Sequence, residues 1–378
     1  MKAIINGKVI MKNKVIRNKS LLFDEKIIDI CEEVPEGCEV IDAKGMIVSP
    51  GLIDIHVHGS SNADTMDKSI KAIETISKGV SKNGVTSFLP TTMTASKDDI
   101  YEAFEIIREC MNRKKHGAKV IGAHMEGPFV NPIYKGAQNE KYVLKPSFDF
   151  IKDYADVIKI ISYAPETDEE YKFTKEVKKK TNITLSISHS NASYEEAQEA
   201  ISLGVSNITH LFNAMTPLNH RDPGVVGAAL MSDIYCEIIA DTIHVNKKLF
   251  QFILNNKGKE KIVLITDSMR AAGMKDGKYD LGGQGVYVKG GAARLASGNL
   301  AGSVLTLNKA VLNFFENTDL TLNEAIYMAS LNPARSIGID NKKGSLDIGK
   351  DADISIFDEE MNCYFAISEG ISIFNKLK

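Results

Sequence analysis

Residues 50–59 carry a regular alternation of apolar and polar side chains. Three apolar residues alternate there with three polar ones, namely Ile53, Ile55 and Val57 with Asp54, His56 and His58. A period of two is typical of a β-strand whose two faces differ. His56 and His58 therefore project to the same side, where both imidazoles can bind one metal ion if the strand ends at an open site.

From residue 50 onward, strand-like apolar runs alternate with helical patterns. We predict eight strands, at Leu52–His58, Val85–Leu89, Lys119–His124, Val157–Ser162, Ile183–Ser188, Asn207–His210, Tyr235–Ala240 and Ile262–Thr266. Helices are predicted between them, several with a capping residue before the first turn, at Ser69–Lys82, Ile100–Arg113, Glu169–Lys180, Tyr194–Leu203 and Lys247–Asn255. Eight strand–helix units favour an α/β fold with the parallel sheet closed into a (β/α)8 TIM-like barrel. An open doubly wound sheet is the alternative.

Both ends of the chain contain short β-prone segments without a helical period. They are Ala3–Ile5, Lys8–Met11, Ser20–Phe23, Lys26–Ile30, Gly344–Leu346 and Ala352–Phe357. We therefore predict a small β-domain built from residues 1–49 plus 345–378, with the barrel at residues 50–344 inserted between its halves. The glycine pairs at 282–283 and 290–291 are predicted to form hairpin turns, because they do not lie between a strand and a helix as a nucleotide loop would.

Histidine and acidic residues follow the predicted strands at their carboxyl ends. Besides His56 and His58, they are Glu126, His189, His210 and Asp267. The carboxyl ends of barrel strands meet at one rim, so we expect all six side chains to converge there. Imidazole and carboxylate ligands without thiolates suit zinc, iron, manganese or cobalt, and they do not decide among these metals.

This ligand set predicts a divalent metal centre with one or two ions per subunit. Glu126, His189 and His210 form the first predicted site. His56 and His58 can hold a second ion, with the Glu126 carboxylate bridging both. A divalent ion lowers the pKa of bound water toward ~7 and polarises a substrate carbonyl group, so the ligands fit hydrolysis better than redox chemistry.

Other polar residues at the same rim suit proton transfer and substrate binding. Asp267 is the predicted catalytic base, because it is not needed as a ligand and can pass a proton from water to the leaving group. The loop 213–223 carries Arg221, whose guanidinium suits a phosphate or carboxylate on the substrate or forms a surface ion pair. His244 follows the seventh predicted strand. The basic segment 113–116 is predicted to be a solvated helix end.

Composition narrows the classes of partner. The chain has 378 residues and a formal net charge of -3, so neither nucleic acid nor an anionic membrane surface is an expected partner. Apolar runs stay well short of the ~20 residues of a membrane span, and a signal-peptide core is missing, so we expect a cytoplasmic location. The five cysteines are scattered without a Cys-x-x-Cys pair, which indicates reduced thiols. A small-molecule substrate and further copies of the chain are the expected partners.

Several longer segments carry a likeness to a known family. They are PGLIDIHVHG (50–59), GVTSFLPT (84–91), GAHMEGPFVNP (122–132), KGAQN (135–139), SHSNASY (188–194), THLFNAM (209–215), HRDPGVVGAAL (220–230), ADTIHV (240–245), ITDSMRAAGMKDG (265–277), NLAGSVLTL (299–307) and NPA (332–334). On these segments the chain resembles the N-acetylglucosamine-6-phosphate deacetylases, a family of the amidohydrolase superfamily. The His-x-His pair marks only the superfamily, whereas the segments EGPF, HSNA, HLFNAM and LAGS are far more specific.

The resemblance implies a barrel flanked by a small β-sandwich from both termini, a homodimer, and hydrolysis of N-acetylglucosamine 6-phosphate to glucosamine 6-phosphate and acetate. It assigns Glu126, His189 and His210 to the metal and Asp267 to acid/base catalysis. The substrate-binding positions that it implies are Ala137, Gln138, Asn213, Ala214, Arg221 on the phosphate, His244, Leu300, Ala301 and Gly302.

Two features vary within the family or depart from it. Some members replace the strand histidines by glutamine and asparagine and use one metal, whereas His56 and His58 keep a second site possible here. Gln138 stands where many members have a histidine that helps to polarise the acetyl carbonyl. Its amide can donate a hydrogen bond but is never cationic, so either the metal contributes more of that polarisation or the rate is lower.

Two other functions are compatible with the fold. A different amidohydrolase, such as a dihydroorotase-like or acylamino-acid hydrolase, often carries a carboxylated lysine as the bridging ligand, and Glu126 after the third strand argues against it. A non-catalytic barrel would be expected to lack metal ligands, and all six strand-end residues are present. Hydrolysis of a sugar-phosphate acetamide therefore remains the leading hypothesis.

Overall fold

The computed structural model describes residues 1–113 and 117–377. The basic segment that was predicted as a solvated helix end lies outside the described residues, apart from Arg113. Within the described ranges, none of the helices combines the length and the apolar character that crossing a bilayer requires.

A parallel β-barrel occupies the centre of the fold. Its strands are Leu52–Val57, Val85–Thr92, Lys119–Val120 continued by Ala123–Glu126, Ile158–Tyr163, Thr184–Ile187, Asn207–Ile208, Tyr235–Ile239 and Ile262–Ile265. Each pairs in parallel with the next along the chain, and almost all of their residues are buried. Burial of both faces is expected when helices cover the outside and side chains fill the inside. The predicted (β/α)8 barrel is confirmed.

Two features distinguish this barrel from a ring of eight continuous strands. The third strand is interrupted near Gly122, which has a φ of 144°. The first and eighth strands share no continuous ladder and are joined instead by one bridge between Val57 and Ser268. Beside it, the Thr266 hydroxyl donates to the buried Asp54 carboxylate at 2.6 Å. The backbone N–H of Asp267 also donates to the carbonyl of His56 at 3.0 Å, and that of His58 to the carbonyl of Ser268 at 2.9 Å. Backbone and side-chain contacts together therefore complete the closure.

Helices surround the barrel. The α-helices are Ile70–Ser81, Lys97–Asn112, Phe148–Ile151, Lys172–Lys180, Tyr194–Ser202, Gly224–Met231, Phe250–Lys257, Leu307–Glu316, Leu322–Met328 and Leu331–Ser336. The side chains of Ser69, Ser96 and Ser193 accept hydrogen bonds from first-turn N–H groups, which explains where three of these helices begin.

Short 3₁₀ helices supplement them. They lie at Thr65–Asp67, Pro132–Tyr134, Glu140–Tyr142, Lys152–Tyr154, Pro165–Thr167, Glu169–Tyr171 and Lys247–Leu249. Two of them correct the predicted helices, since the segments starting at Glu169 and Lys247 begin as 3₁₀ turns before the α-helix. In the first case Glu170 has a left-handed φ of 54°, which an α-helix does not accommodate.

The two chain ends form a sandwich of two sheets. One has the strand order Ile27–Cys31, Ser20–Phe23, Lys2–Ile5 and Glu39–Asp42, and the other Ile371–Asn375, Cys363–Ser368, Ile354–Phe357, Ile47–Pro50, Lys8–Met11 and Lys14–Ile16. One cluster of buried apolar side chains draws on both sheets. Gly344–Leu346, predicted as β-prone, contains no strand. We propose the division into residues 1–49 plus 345–378 and residues 50–344 on the basis of this shared core.

A small antiparallel sheet stands at the mouth of the barrel. Its strands are Gly277–Leu281, Gln284–Lys289 and Ala292–Leu295, and the two glycine pairs form the turns between them, as predicted. Leu281 and Val286 pack with Met93 and Met269, which follow the second and eighth barrel strands. This sheet therefore covers part of the rim at which the barrel strands end.

Candidate metal centre and active site

The six strand-end residues converge at the carboxyl rim of the barrel. They are His56 in the first strand, His58 just after it, Glu126 at the end of the third, and His189, His210 and Asp267 two residues beyond the fifth, sixth and eighth. All six are buried. The last three have positive φ angles of 47°, 35° and 48°, which few residues other than glycine adopt. The chain turns sharply at these points and directs the side chains toward the barrel axis.

The first predicted metal group is assembled around one oxygen of Glu126. Oε1 of Glu126 lies 3.2 Å from Nε2 of His189 and 3.1 Å from Nε2 of His210. The possible ligand atoms of these three residues all lie within 4.8 Å of one another. Three protein ligands of this kind leave a coordination position open for water, as in catalytic zinc sites.

The second predicted group shares the Glu126 carboxylate. Nε2 of His58 lies 3.2 Å from Oε2 of Glu126, and Nε2 of His56 lies 3.5 Å from its Oε1. Asp267 Oδ1 lies 3.4 Å from Nε2 of His56 and 3.2 Å from Nε2 of His58. Asp267 is therefore beside the second group, while Glu126 contacts the histidines of both.

The hydrogen-bond partners of the four imidazoles fit a metal centre. Each Nδ1 faces an oxygen, namely Glu237 Oε2 for His56 at 3.1 Å, Thr91 O for His58 at 3.3 Å, Tyr134 O for His189 at 2.8 Å and Asn213 O for His210 at 3.1 Å. A carbonyl oxygen only accepts, so Nδ1 carries the proton and Nε2 keeps its lone pair. In the neutral imidazoles this arrangement directs the Nε2 lone pairs into the cluster, which is the tautomer that a metal ligand needs, and for His56 the acceptor of the Nδ1 proton is the Glu237 carboxylate.

Charge at the cluster favours a bound cation. Burial opposes ionisation of Glu126, but the surrounding imidazoles outweigh it and hold the pKa of its carboxyl well below the usual value. His56 and His58 likewise outweigh burial at Asp267 and lower its pKa. Burial lowers the pKa of His58, yet the facing carboxylates of Asp267 and Glu126 raise it to about 9. Two ionised carboxylates therefore stabilise positive charge at this point, which a divalent cation supplies.

A cavity of about 340 Å³ opens above the cluster. Its lining includes His58, Glu126, His189, His210 and Asp267 from the metal groups, and Tyr134, Ala137, Gln138, Asn213, Ala214, His244, Asn299, Leu300 and Gly302 around them. Nδ1 of His244 is fixed by Asp241 Oδ2 at 2.6 Å. The volume is in the usual range of ~300–1,000 Å³ for small-molecule sites. A partly open cavity of this size, with both polar and apolar lining residues beside the carboxylates and imidazoles, can hold a hexose-sized substrate.

Comparison with known proteins agrees with this geometry. Residues 47–378 match the model of the amidohydrolase family.

The chain belongs to the amidohydrolase family.

Among its relatives, an N-acetylglucosamine-6-phosphate deacetylase of Lysinibacillus sphaericus is 41% identical over 356 residues, which cover 92% of this chain and 91% of the relative. An N-acetylgalactosamine-6-phosphate deacetylase of Escherichia coli O157:H7 is 36% identical and the match covers 89% of each chain. The crystal structure of an N-acetylglucosamine-6-phosphate deacetylase from Pasteurella multocida has a TM-score of 0.93, at 33% identity over 99% of this chain and 100% of that one.

This amidohydrolase places most of the predicted substrate-binding residues at the cavity, with two exceptions. Arg221 is exposed on its loop and is not among the residues that line the cavity. Ala301 is buried, and its N–H donates to the carbonyl of Ala293, so only its neighbours Leu300 and Gly302 reach the cavity. Arg221 therefore does not reach this cavity in the present arrangement of the chain, and its contact with a phosphate stays a prediction.

Gln138 makes its contacts with protein groups of the amidohydrolase site. Its Oε1 accepts the N–H of Thr94 at 2.7 Å, which fixes the orientation of the amide. Its Nε2 then donates to Oε2 of Glu126 at 2.8 Å. Because Gln138 also lines the cavity, its second N–H is the donor left for a substrate carbonyl. The residue thus orients the Glu126 carboxylate.

Sequence reasoning missed several residues of the site. Glu237 contacts His56, Asp241 holds His244, and Asn299 lines the cavity. A signal for Glu237 was present, since it is the only charged residue in the otherwise apolar run Cys236–Ile239. A buried acid in a barrel strand needs a partner, but the sequence does not show which one.

Proposed function

We propose that this protein hydrolyses the N-acetyl group of N-acetylglucosamine 6-phosphate, giving glucosamine 6-phosphate and acetate. The observation that carries the proposal is the convergence of Glu126, His189, His210 and Asp267 on the floor of one cavity. The names of the relatives support the acetylated amino-sugar phosphate as the substrate class. No lysine lines the cavity among the described residues, which argues against a hydrolase that depends on a carboxylated lysine.

A divalent metal is proposed to occupy the centre, held by Glu126, His189 and His210. When bound, it supplies Lewis acidity that makes water more acidic and polarises the acetyl carbonyl. His56 and His58 are proposed to hold a second ion, with Glu126 shared between the two groups. Zinc, iron, manganese and cobalt all accept these ligands.

Asp267 is proposed to carry the proton. Its lowered pKa keeps the carboxylate ionised at neutral pH, so it is ready to accept a proton from the attacking water. The same carboxyl group can then deliver that proton to the amine nitrogen as the carbon–nitrogen bond breaks. Asp267 faces the cavity, where both the water and the leaving nitrogen must lie.

Recognition of the sugar phosphate is assigned to the rest of the cavity. Asn213, His244 and Asn299 offer hydrogen bonds to hydroxyl groups. Arg221 is proposed to bind the phosphate, which requires its loop, Leu218 to Pro223, to move toward the cavity or the contact to form in an assembly.

A homodimer in the cytoplasm is proposed as the working state of the protein. Leu218 is 47% exposed and Met231 is 73% exposed, and Leu218 packs close to Gly227, one helical turn from Met231. Two neighbouring exposed apolar side chains are a feature of interaction surfaces. The free cysteines accord with a reducing compartment.

Acetate release tests the function directly. The metal-loaded protein is expected to release acetate from N-acetylglucosamine 6-phosphate, and kcat/KM for the unphosphorylated sugar is expected to be about 10–100-fold lower, since one charge-assisted contact is lost. N-acetylgalactosamine 6-phosphate serves as the comparison substrate that the relatives suggest. Absence of acetate release from every phosphorylated acetylhexosamine, with metal bound, would refute the proposal.

Replacing Arg221 with alanine tests the phosphate contact. We expect KM for the phosphorylated substrate to rise about tenfold with kcat nearly unchanged, because a contact made equally in the ground and transition states is removed. KM for the unphosphorylated sugar should not change, and Arg221→Lys should lie between the two. An unchanged KM for the phosphorylated substrate in Arg221→Ala would remove Arg221 from phosphate binding.

A further inference from the structure

Glu237 lies beside the metal groups, and among the described residues its side chain has one hydrogen-bond partner. It comes from the seventh barrel strand and its Oε2 is 3.1 Å from Nδ1 of His56 in the first strand. Both side chains are 0% exposed. Oε1 of Glu237 has no hydrogen-bond partner among the described residues. Burying a carboxylate with one of its oxygens unsatisfied costs free energy. The hydrogen bond with His56 is the side-chain contact that offsets part of this cost.

The contact sets His56 apart from the other histidines of the site. Nδ1 of His58, His189 and His210 faces a backbone carbonyl, whereas Nδ1 of His56 faces a side-chain carboxylate. A carboxylate that accepts the Nδ1 proton leaves Nε2 as the free lone pair and increases the basicity of the imidazole. His56 is therefore the histidine of this cluster whose ligating nitrogen is set by another side chain.

Packing against His124 limits the movement of the His56 ring. Its ring meets the ring of His124 at 4.5 Å between centroids, with an interplanar angle of 64°. His124 is itself held at both nitrogens, by the carbonyl of Ile55 at 2.9 Å and by the Ser162 hydroxyl at 2.7 Å. With the His56 ring packed against a neighbour that is itself held at both nitrogens, the hydrogen bond between Nδ1 and Glu237 is the polar contact that orients Nε2.

We propose that Glu237 is a positioning residue for the second metal group: it orients His56 toward His58 and Glu126 and thereby sets the affinity of that group for its divalent ion. The first group, formed by His189 and His210 with Glu126, does not depend on it. This inference rests on the proposed metal centre but not on the identity of the acetylated substrate. A metal titration therefore tests the role of Glu237, and an acetate-release assay tests the proposed substrate independently.

Titration of the metal-free protein with Co²⁺, followed by its visible absorbance and by competition with a chelator, tests the proposal. The wild-type protein is expected to bind in two phases. Glu237→Leu, which fills the space but removes the acceptor, is expected to weaken one phase by about 10–100-fold and to leave the other unchanged. Glu237→Gln, whose amide oxygen can still accept the Nδ1 proton, is expected to lie between wild type and Glu237→Leu.

A matched control separates positioning from general stability. Asp168 is also buried, and its carboxylate accepts hydrogen bonds from Phe173 and Thr174 away from the metal groups. Asp168→Asn should lower the melting temperature without changing either Co²⁺ phase. Two wild-type phases in folded Glu237→Leu, equal weakening of both phases, or a single phase in the wild-type protein would each overturn the proposal. If Glu237→Leu does not fold, Glu237→Gln decides: a weaker second phase supports the proposal, and wild-type affinity overturns it.

Discussion

Substitution of Asp267 by asparagine is expected to lower kcat by about 10²–10⁴-fold, the range that one positioned acid/base group contributes. The asparagine side chain has nearly the same shape but cannot take the proton of the attacking water or return it to the leaving nitrogen. Metal in the first group should remain bound, because Glu126, His189 and His210 are unchanged. Steady-state acetate release together with metal analysis of the same preparation measures both effects.

The matched control for this substitution is Asp276→Asn, at an exposed carboxylate just before the first strand of the small antiparallel sheet and outside the cavity lining. It should leave kcat and KM at their wild-type values. Because Oδ1 of Asp267 also lies 3.4 Å and 3.2 Å from the Nε2 atoms of His56 and His58, some loss of affinity at the second group is compatible with the assignment. Robust turnover by metal-loaded Asp267→Asn is incompatible with the assignment and would reassign the proton transfer to another group.

Substitution of Glu126 by glutamine is expected to remove metal from both groups and to bring acetate release below detection. One oxygen of Glu126 faces His189 and His210 and the other faces His58, so a single carboxylate serves every ligand pair. Glutamine keeps the shape but has one oxygen and no charge. The loss of affinity should exceed the roughly 10–100-fold that removing an outer hydrogen-bond partner of a ligand costs.

His58→Asn is the comparison for Glu126→Gln. It removes a ligand from the second group only, so metal content measured by atomic emission should fall by one ion and not to zero. A Glu126→Gln protein that retains its full complement of metal would contradict the shared carboxylate. Circular dichroism on each variant verifies that the barrel has formed.

Much of the site could be predicted because its pattern is local. A strand buried on both faces is a short apolar run in the sequence, and the polar residues just beyond its carboxyl end lie at the rim. His189, His210 and Asp267 each lie two residues beyond such a run, so their convergence at one rim followed from the predicted barrel fold. The alternation of apolar and polar residues around His56 and His58 predicted that these two histidines face the same site.

Other features could not be predicted because they depend on contacts between distant segments. Glu237 reaches His56 from a strand 181 residues further along the chain. The hydrogen bond from Thr266 to Asp54 helps to close the barrel and joins residues 212 positions apart. The exposed position of Arg221 and the burial of Ala301 depend on how the loops pack, and a sequence motif does not specify that packing.

The sequence alone determined the barrel, the order of its strands and the chemical types of the residues at their ends, because hydrophobic period and strand-end position are properties of neighbouring residues. Only the tertiary structure decided which nitrogen of each histidine is free, which oxygen of Glu126 serves which group, and which residues face the cavity. These depend on distances of about 3 Å between atoms from different strands, and a difference of one ångström there separates a hydrogen bond from none.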